Sequence, residues 1–242
     1  MRSRNARLAL ILVAALPATL LCAHAGSALT ARSAACFPAS AHAKVVRFTN
    51  SAGTKLVGYE LGRGPRGIVL AHQYGGDACQ WAGYAPGLAK RGYHVLAFDF
   101  HGNGLSGVGS EENDVDVVAA AGKLRALGAK KLVLIGASMG GTASLAAAAE
   151  LKPPPAAVIS LSGPGSFDLT SAFDAVPKIA APKLFVVGAA DVQFAGDARE
   201  LYRRARGAKQ LVVVKTADHG VDLLDDPPAT RAIDATLRRA LS

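Results

Sequence analysis

The sequence predicts an α/β fold, a mainly parallel central sheet with helices on both faces. Short, wholly apolar runs recur along the chain, helical segments separate them, and glycine or proline marks many of the junctions. Lys44 to Asn50 and Lys55 to Leu61 read as an amino-terminal hairpin around Ser51-Ala52-Gly53. A buried strand, Gly67 to Ala71, precedes a helical segment that contains Trp81, Tyr84 and Leu88 and stops at Gly92. The strand Tyr93 to Phe98 follows, then a helix from Glu111 to Leu127 whose stripe is Val117, Ala121, Leu124 and Leu127, closed by Gly128. Lys131 to Ile135 is a fully apolar strand, and the alanine-dominated stretch Gly141 to Leu151 is a helix ended by Pro153-Pro154-Pro155. Three more strands come at Ala156 to Leu161, Lys183 to Gly188 and Leu211 to Val214. The last helix starts near Asp226, with Pro227 and Pro228 in its first turn, and buries Ile233 and Leu237.

Composition fits one globular domain, assigned to residues 44–242, in a chain of 242 residues of which 50% are hydrophobic. The formal charge is +9, and removing the arginines of the first seven residues leaves about +6. Basic residues are dispersed, with a local run at Arg199, Arg203, Arg204 and Arg206 that reads as the solvated face of a helix. With no interleaved aromatic platform, the pattern argues against nucleic acid as a partner.

The chain begins as an exported protein does. Arg2, Arg4 and Arg7 precede the apolar run Leu8 to Leu21, and Ala23-His24-Ala25 supplies small residues for a signal peptidase. Residues 1–25 are therefore expected to be a signal peptide and residues 26–43 an exported linker. The apolar run is too short for a stable membrane span and is interrupted by Pro17. A second A-x-A, Ala41-His42-Ala43, offers a later cut that would also leave the domain whole. Cys36 and Cys79 remain after cleavage, either paired in an oxidising compartment or both reduced.

Chemistry concentrates at Gly136-Ala137-Ser138-Met139-Gly140, where an apolar strand gives way to a small-residue helix. A serine on such a turn forms a nucleophile elbow, its neighbouring glycines removing the Cβ atoms that would collide with strand and helix. The hydroxyl is expected to be lifted toward solvent at the positive end of the helix dipole. Upstream, the strand ending at Ala71 opens into His72-Gln73-Tyr74-Gly75-Gly76. Downstream, Asp191 follows the strand Lys183 to Gly188, and Thr216-Ala217-Asp218-His219-Gly220 follows the strand ending at Val214.

Together these motifs resemble the α/β-hydrolase fold family over roughly residues 44 to 242, in the order Ser, Asp, His that this fold uses. Gln73 stands where the family's oxyanion loop has glycine, and His101 stands for arginine in Asp99-Phe100-His101-Gly102-Asn103-Gly104-Leu105-Ser106. The resemblance implies a lidless serine esterase or thioesterase similar to dienelactone hydrolases. Ser138 would be the nucleophile, His219 the base and Asp191 the acid, with the backbone N–H groups of Tyr74 and Met139 as oxyanion hole. It implies no cofactor and no metal. His219 is the only histidine after Ser138, whereas Asp191 has competitors in Asp168, Asp197 and Asp218. His72 precedes the nucleophile and reads as a structural tie between loops.

The G-x-G-x-x-G match at Gly102 to Gly107 fails as a dinucleotide site, because no helix opens on its third glycine and the next helical segment begins with acidic residues. Only residues 162–182 separate the strand after the elbow helix from the next one, too few for a cap domain. An open site suits bulky, extended or polymeric esters reached from outside better than a small volatile substrate, with Phe167, Phe173 and Val176 either forming one wall or packing under the loop. The motifs leave two other readings open: a noncatalytic binding relative, and a peptidase or acyltransferase using the same triad. They do not address oligomeric state.

Overall fold

The computed structural model describes residues 36–242. The expected signal peptide and most of the expected linker lie outside the described residues.

Eight strands form the main sheet: β1 (Lys44–Thr49), β2 (Lys55–Leu61), β3 (Arg66–Ala71), β4 (His94–Asp99), β5 (Lys131–Ala137), β6 (Ala157–Leu161), β9 (Lys183–Gly188) and β10 (Lys209–Val214). Their spatial order is β1-β2-β4-β3-β5-β6-β9-β10. β2 is antiparallel to both β1 and β4, and every later pairing is parallel. β3, β4, β5, β6 and β9 are almost continuously buried, as strands covered on both faces must be. Because the crossovers all return to the same edge, the carboxyl ends of β3, β5, β6, β9 and β10 gather on one rim. That rim holds the motif residues.

Helices cover the two faces. α1 (Ala85–Lys90) and α6 (Pro227–Leu241) pack Leu88, Ile233 and Leu237 on one side with Trp81 and Tyr59. α2 (Asn113–Ala126), α3 (Met139–Glu150) and α5 (Val192–Arg204) pack Val117, Leu124, Leu145 and Leu201 on the other with Phe98 and Phe185. α6 begins as expected: Asp226 is its N-cap and accepts from the Ala229 N–H at 3.2 Å, with proline in the first turn. Among the described residues no helix is long and apolar enough to cross a membrane.

Within residues 36–43, Phe37 is buried against Tyr59 and Cys36 is disulfide-bonded to Cys79. An aromatic side chain with a core site to fill stabilises the domain more than it would in water. Residues 162–182 form no cap domain, as expected. They contain the two-residue strands β7 (Ser166–Phe167) and β8 (Thr170–Ser171) and the short helix α4 (Ala172–Ala175), draped over α3. Val176 is wholly buried, and the Phe173 ring lies beneath the Arg204 guanidinium, 4.6 Å away, so these two serve packing rather than a substrate wall.

Candidate active site

The elbow is built by close approach. Ser138 connects β5 to α3 with φ 49° and ψ −118°, a conformation that few non-glycine residues adopt and that costs on the order of 1–3 kcal/mol. A Cβ on Gly136 would fall 1.9 Å from the Gly140 carbonyl oxygen, and one on Gly140 would fall 2.3 Å from that of Ala71. Glycine at both positions lets α3 descend directly onto the ends of β5 and β3. The Ser138 N–H donates to the Leu161 carbonyl at 2.8 Å, tying the turn to β6. Its hydroxyl is less open than the sequence implies, since Ser138 is only 8% exposed. The loop after β3 presses on Gly140, and Gly220 packs beside Ala137, so the elbow lies in the cleft between these two loops.

His219 reaches this cleft from the loop after β10. Its Nδ1 donates to Asp191 Oδ2 at 2.8 Å, which leaves Nε2 as the acceptor. Asp191 sits at the N-cap position of α5, yet its carboxylate caps no N–H of that helix. It is turned toward the histidine instead. Gly188 permits the meeting: a Cβ there would lie 2.8 Å from the carbonyl oxygens of both Thr216 and Asp218, so only glycine lets the end of β9 and the histidine loop touch. The competing acids are used elsewhere or point away. Asp168 occupies the β7–β8 turn at φ 47°, Asp197 accepts the Gly165 N–H at 2.9 Å, and Asp218 is exposed.

Ser138 and His219 are not joined by a hydrogen bond among the described residues. In a ligand-free site such bonds are commonly long and tighten when substrate binds. The Met139 N–H, in the first turn of α3, has no intrahelical acceptor available, and the Tyr74 N–H on the facing loop likewise donates to no backbone or side-chain group among the described residues.

Two residues with positioning contacts escaped sequence reasoning. Gln73 accepts the Val221 N–H at 3.2 Å through Oε1, while its own N–H donates to Gln80 Oε1 at 3.1 Å. It therefore ties the loop of Tyr74 to the loop of His219, and its departure from glycine has a structural use. Phe194, on α5, packs on the His219 ring at 4.2 Å between centroids. No spacing in the sequence announces it. Tyr74 is 71% exposed and rests on Phe167 at 5.4 Å; Val192, 79% exposed, borders Asp191, so the rim of the cleft is apolar and aromatic.

His101, the other departure, donates from Nδ1 to Asp116 Oδ2 at 2.8 Å within a cluster that includes Glu111 and Asn50. Asp116 already accepts from Asn50 and from the His101 N–H, so the cluster is satisfied without an ion. His72 is the tie expected of it. Nε2 accepts the Phe100 N–H at 3.1 Å and Nδ1 faces the Gln73 carbonyl, and burial lowers its pKa from 6.5 to about 4. Asp99 holds the Gly102 to Gly107 loop by accepting from the Leu105 and Ala78 N–H groups, each at 2.9 Å, and burial raises its pKa. A Cβ on Gly104 would strike that carboxylate at 2.4 Å, which accounts for glycine at the middle of the pattern without any nucleotide.

The fold is shared with solved esterases. An esterase from Pyrococcus furiosus, Pf2001, superposes with a TM-score of 0.75 at 20% identity, covering 84% of this chain and 94% of that one. A thermophilic esterase from Thermogutta terrifontis gives 0.68 at 19% identity, covering 82% and 100%. The enol-lactonase from Burkholderia xenovorans LB400 gives 0.66 at 18%, covering 80% and 100%. Comparison with curated proteins finds no significant match. The sequence profile of the alpha/beta hydrolase fold matches residues 68–210, more than half of the chain, and with the elbow, the sheet order and the loop order in agreement the protein belongs to that family.

Proposed function

We propose that the protein is an exported serine hydrolase that cleaves carboxylic esters or thioesters through Ser138, His219 and Asp191. The observation that carries this reading is the 2.8 Å bond from His219 Nδ1 to Asp191, which leaves Nε2 as the free acceptor on the rim that also bears the strained Ser138. In the reaction His219 Nε2 takes the Ser138 proton as Oγ attacks the carbonyl carbon, and Asp191 steadies the imidazolium that forms. The carbonyl oxygen becomes an oxyanion between the N–H groups of Met139 and Tyr74, each such donor being worth about 3–4 kcal/mol to the transition state. The protonated His219 then gives its proton to the leaving alkoxide or thiolate, leaving an acyl-enzyme on Ser138. Water, deprotonated by the same histidine, releases the acid and restores the serine.

Substrate preference follows from the rim. With no cap domain between β6 and β9, and with Tyr74, Phe167 and Val192 at the mouth, the site favours apolar or aromatic esters, including segments of polymeric ones, approached from solvent. A fluorophosphonate probe tests the reading. It should label wild-type protein at Ser138 and leave Ser138→Ala unlabelled. Folded wild-type protein that neither labels nor hydrolyses p-nitrophenyl esters of any chain length would falsify it.

A further inference from the structure

The cations of this chain are sorted by the topology. Five strands open on lysine or arginine at the edge of the sheet opposite the active-site rim: Lys44, Arg66, Lys131, Lys183 and Lys209. Register sets them level, Arg66 beside Lys131 and Lys183 beside Lys209. Helices descending from the rim finish there with Lys90 on α1, Lys123 and Arg125 on α2, Arg203 and Arg204 on α5, and Arg238 and Arg239 on α6. Cations at helix carboxyl ends answer the helix dipole, but no dipole asks for them at strand starts. The connections add Arg63, Lys130, Lys152 and Arg206, all exposed.

Few carboxylates oppose them. Glu150 stands exposed at the end of α3, while Glu60 is held by buried His94, Glu200 by Arg203 and Arg204, and Asp234 by Arg91. Arg66, Lys131, Lys183 and Lys209 donate to main-chain oxygens, so the free charge is carried by the exposed residues around them. A recess of about 260 Å³ on this edge is lined by Lys44, Arg63 and Lys90 with Glu60. The loops at the opposite, carboxyl ends of the strands carry Asp77, Asp168, Asp218, Asp222 and Asp225 as well as the apolar Tyr74 and Val192. The molecule is thus polarised along the strands.

We infer that the strand-start edge is a docking surface for an anionic lipid bilayer, on which the protein stands with its Ser138 cleft facing away. The breadth of the surface selects the partner. The cations come from strands, helices and loops across the whole edge, which suits a planar anionic surface better than a single strand lying in a groove. Nor do the described residues offer a stacking platform for bases: the Tyr93 ring is buried beneath the Arg66 and Arg91 guanidinium groups, at 5.0 and 5.5 Å, and the half-buried Tyr202 ring is covered by Lys209 Nζ at 4.7 Å. The large exposed apolar side chains, Tyr74, Val108, Leu169, Val192 and Val213, lie on the rim or the flanks, so this contact is with headgroups and involves no insertion. Such adsorption weakens as salt screens it.

The test is co-sedimentation of the full chain with vesicles of mixed phosphatidylglycerol and phosphatidylcholine, against phosphatidylcholine alone. Residues 1–25, with three arginines of their own, are common to every variant, so the reading is the difference in preference between variants. Wild-type protein should prefer the anionic vesicles and lose that preference in high salt. Replacing Lys90, Lys130, Lys152 and Arg238 by glutamine should lower the preference at least roughly tenfold, with the thermal melt and soluble-ester hydrolysis unchanged. If that variant melts early, Lys130→Gln with Lys152→Gln carries the same test, with a fall of at least roughly fivefold. Lys55→Gln with Lys215→Gln, on the opposite rim, should change nothing. Equal partition onto both vesicles, full preference in the four-site variant, or capture by duplex DNA with no lipid preference would each overturn the inference.

Discussion

Ser138 performs two tasks that pull apart, holding an unfavourable backbone and presenting a nucleophile. Ser138→Ala keeps the backbone and removes the hydroxyl, so labelling and ester turnover should vanish while the urea midpoint stays within experimental error. Asp191→Asn tests the partner. An amide in place of the carboxylate can present its NH₂ to Nδ1 and favour the wrong histidine tautomer, so kcat should fall by several orders of magnitude with KM little changed, as steady-state kinetics on a short p-nitrophenyl ester would show. His72 gives a pH signature of a different kind. Its pKa is about 4 in the folded chain against 6.5 unfolded, so between those values the unfolded chain binds more protons. Stability should therefore fall as pH is lowered through that window, by on the order of 3 kcal/mol in full. Urea midpoints measured from pH 7 to pH 4 should decline more steeply for wild type than for His72→Gln, which keeps a polar side chain but does not titrate.

At the scale of elements, the sequence was most legible where one residue type has one physical use. The apolar runs placed every strand of the main sheet to within two residues, because strands buried on both faces admit little else. Gly136 and Gly140 announced the elbow for the same reason: each contacts backbone at less than a Cβ's distance. Gly136→Ala should accordingly disrupt the junction of β5 and α3, and soluble yield with far-UV circular dichroism would report it. The site was less legible where function depends on partners far apart in the chain. Gln73 looked like a departure from a motif, and its bond to Val221 spans 148 positions. Phe194 belongs to no motif, and only the fold brings it onto the His219 ring. Residues 162–182 left two readings for a third reason. A substrate wall and packing under the loop suited the same side chains, and α3 is so rich in alanine that Phe173 and Val176 are needed to fill the space above it.

Across the whole molecule, the expected export and the observed covalent structure bear on one another. Export predicts a mature protein that begins near Gly26 outside the cytoplasm, and amino-terminal sequencing of material from the native host would find that residue; intact Met1 on cytosolic protein would refute it. An oxidising destination also suits the Cys36 to Cys79 bond, which closes a loop of 43 residues in sequence. Cys79→Ala should lower stability by about 2–4 kcal/mol in chemical denaturation, mostly by freeing the unfolded chain. The same bond changes what a later cut would mean. Were a peptidase to use the second A-x-A and cleave after Ala43, the severed piece would still be held through Cys36, with Phe37 seated in the core. Mass spectrometry would then find one species without reductant and two with it: a domain whose polypeptide is broken but whose first residues have not left.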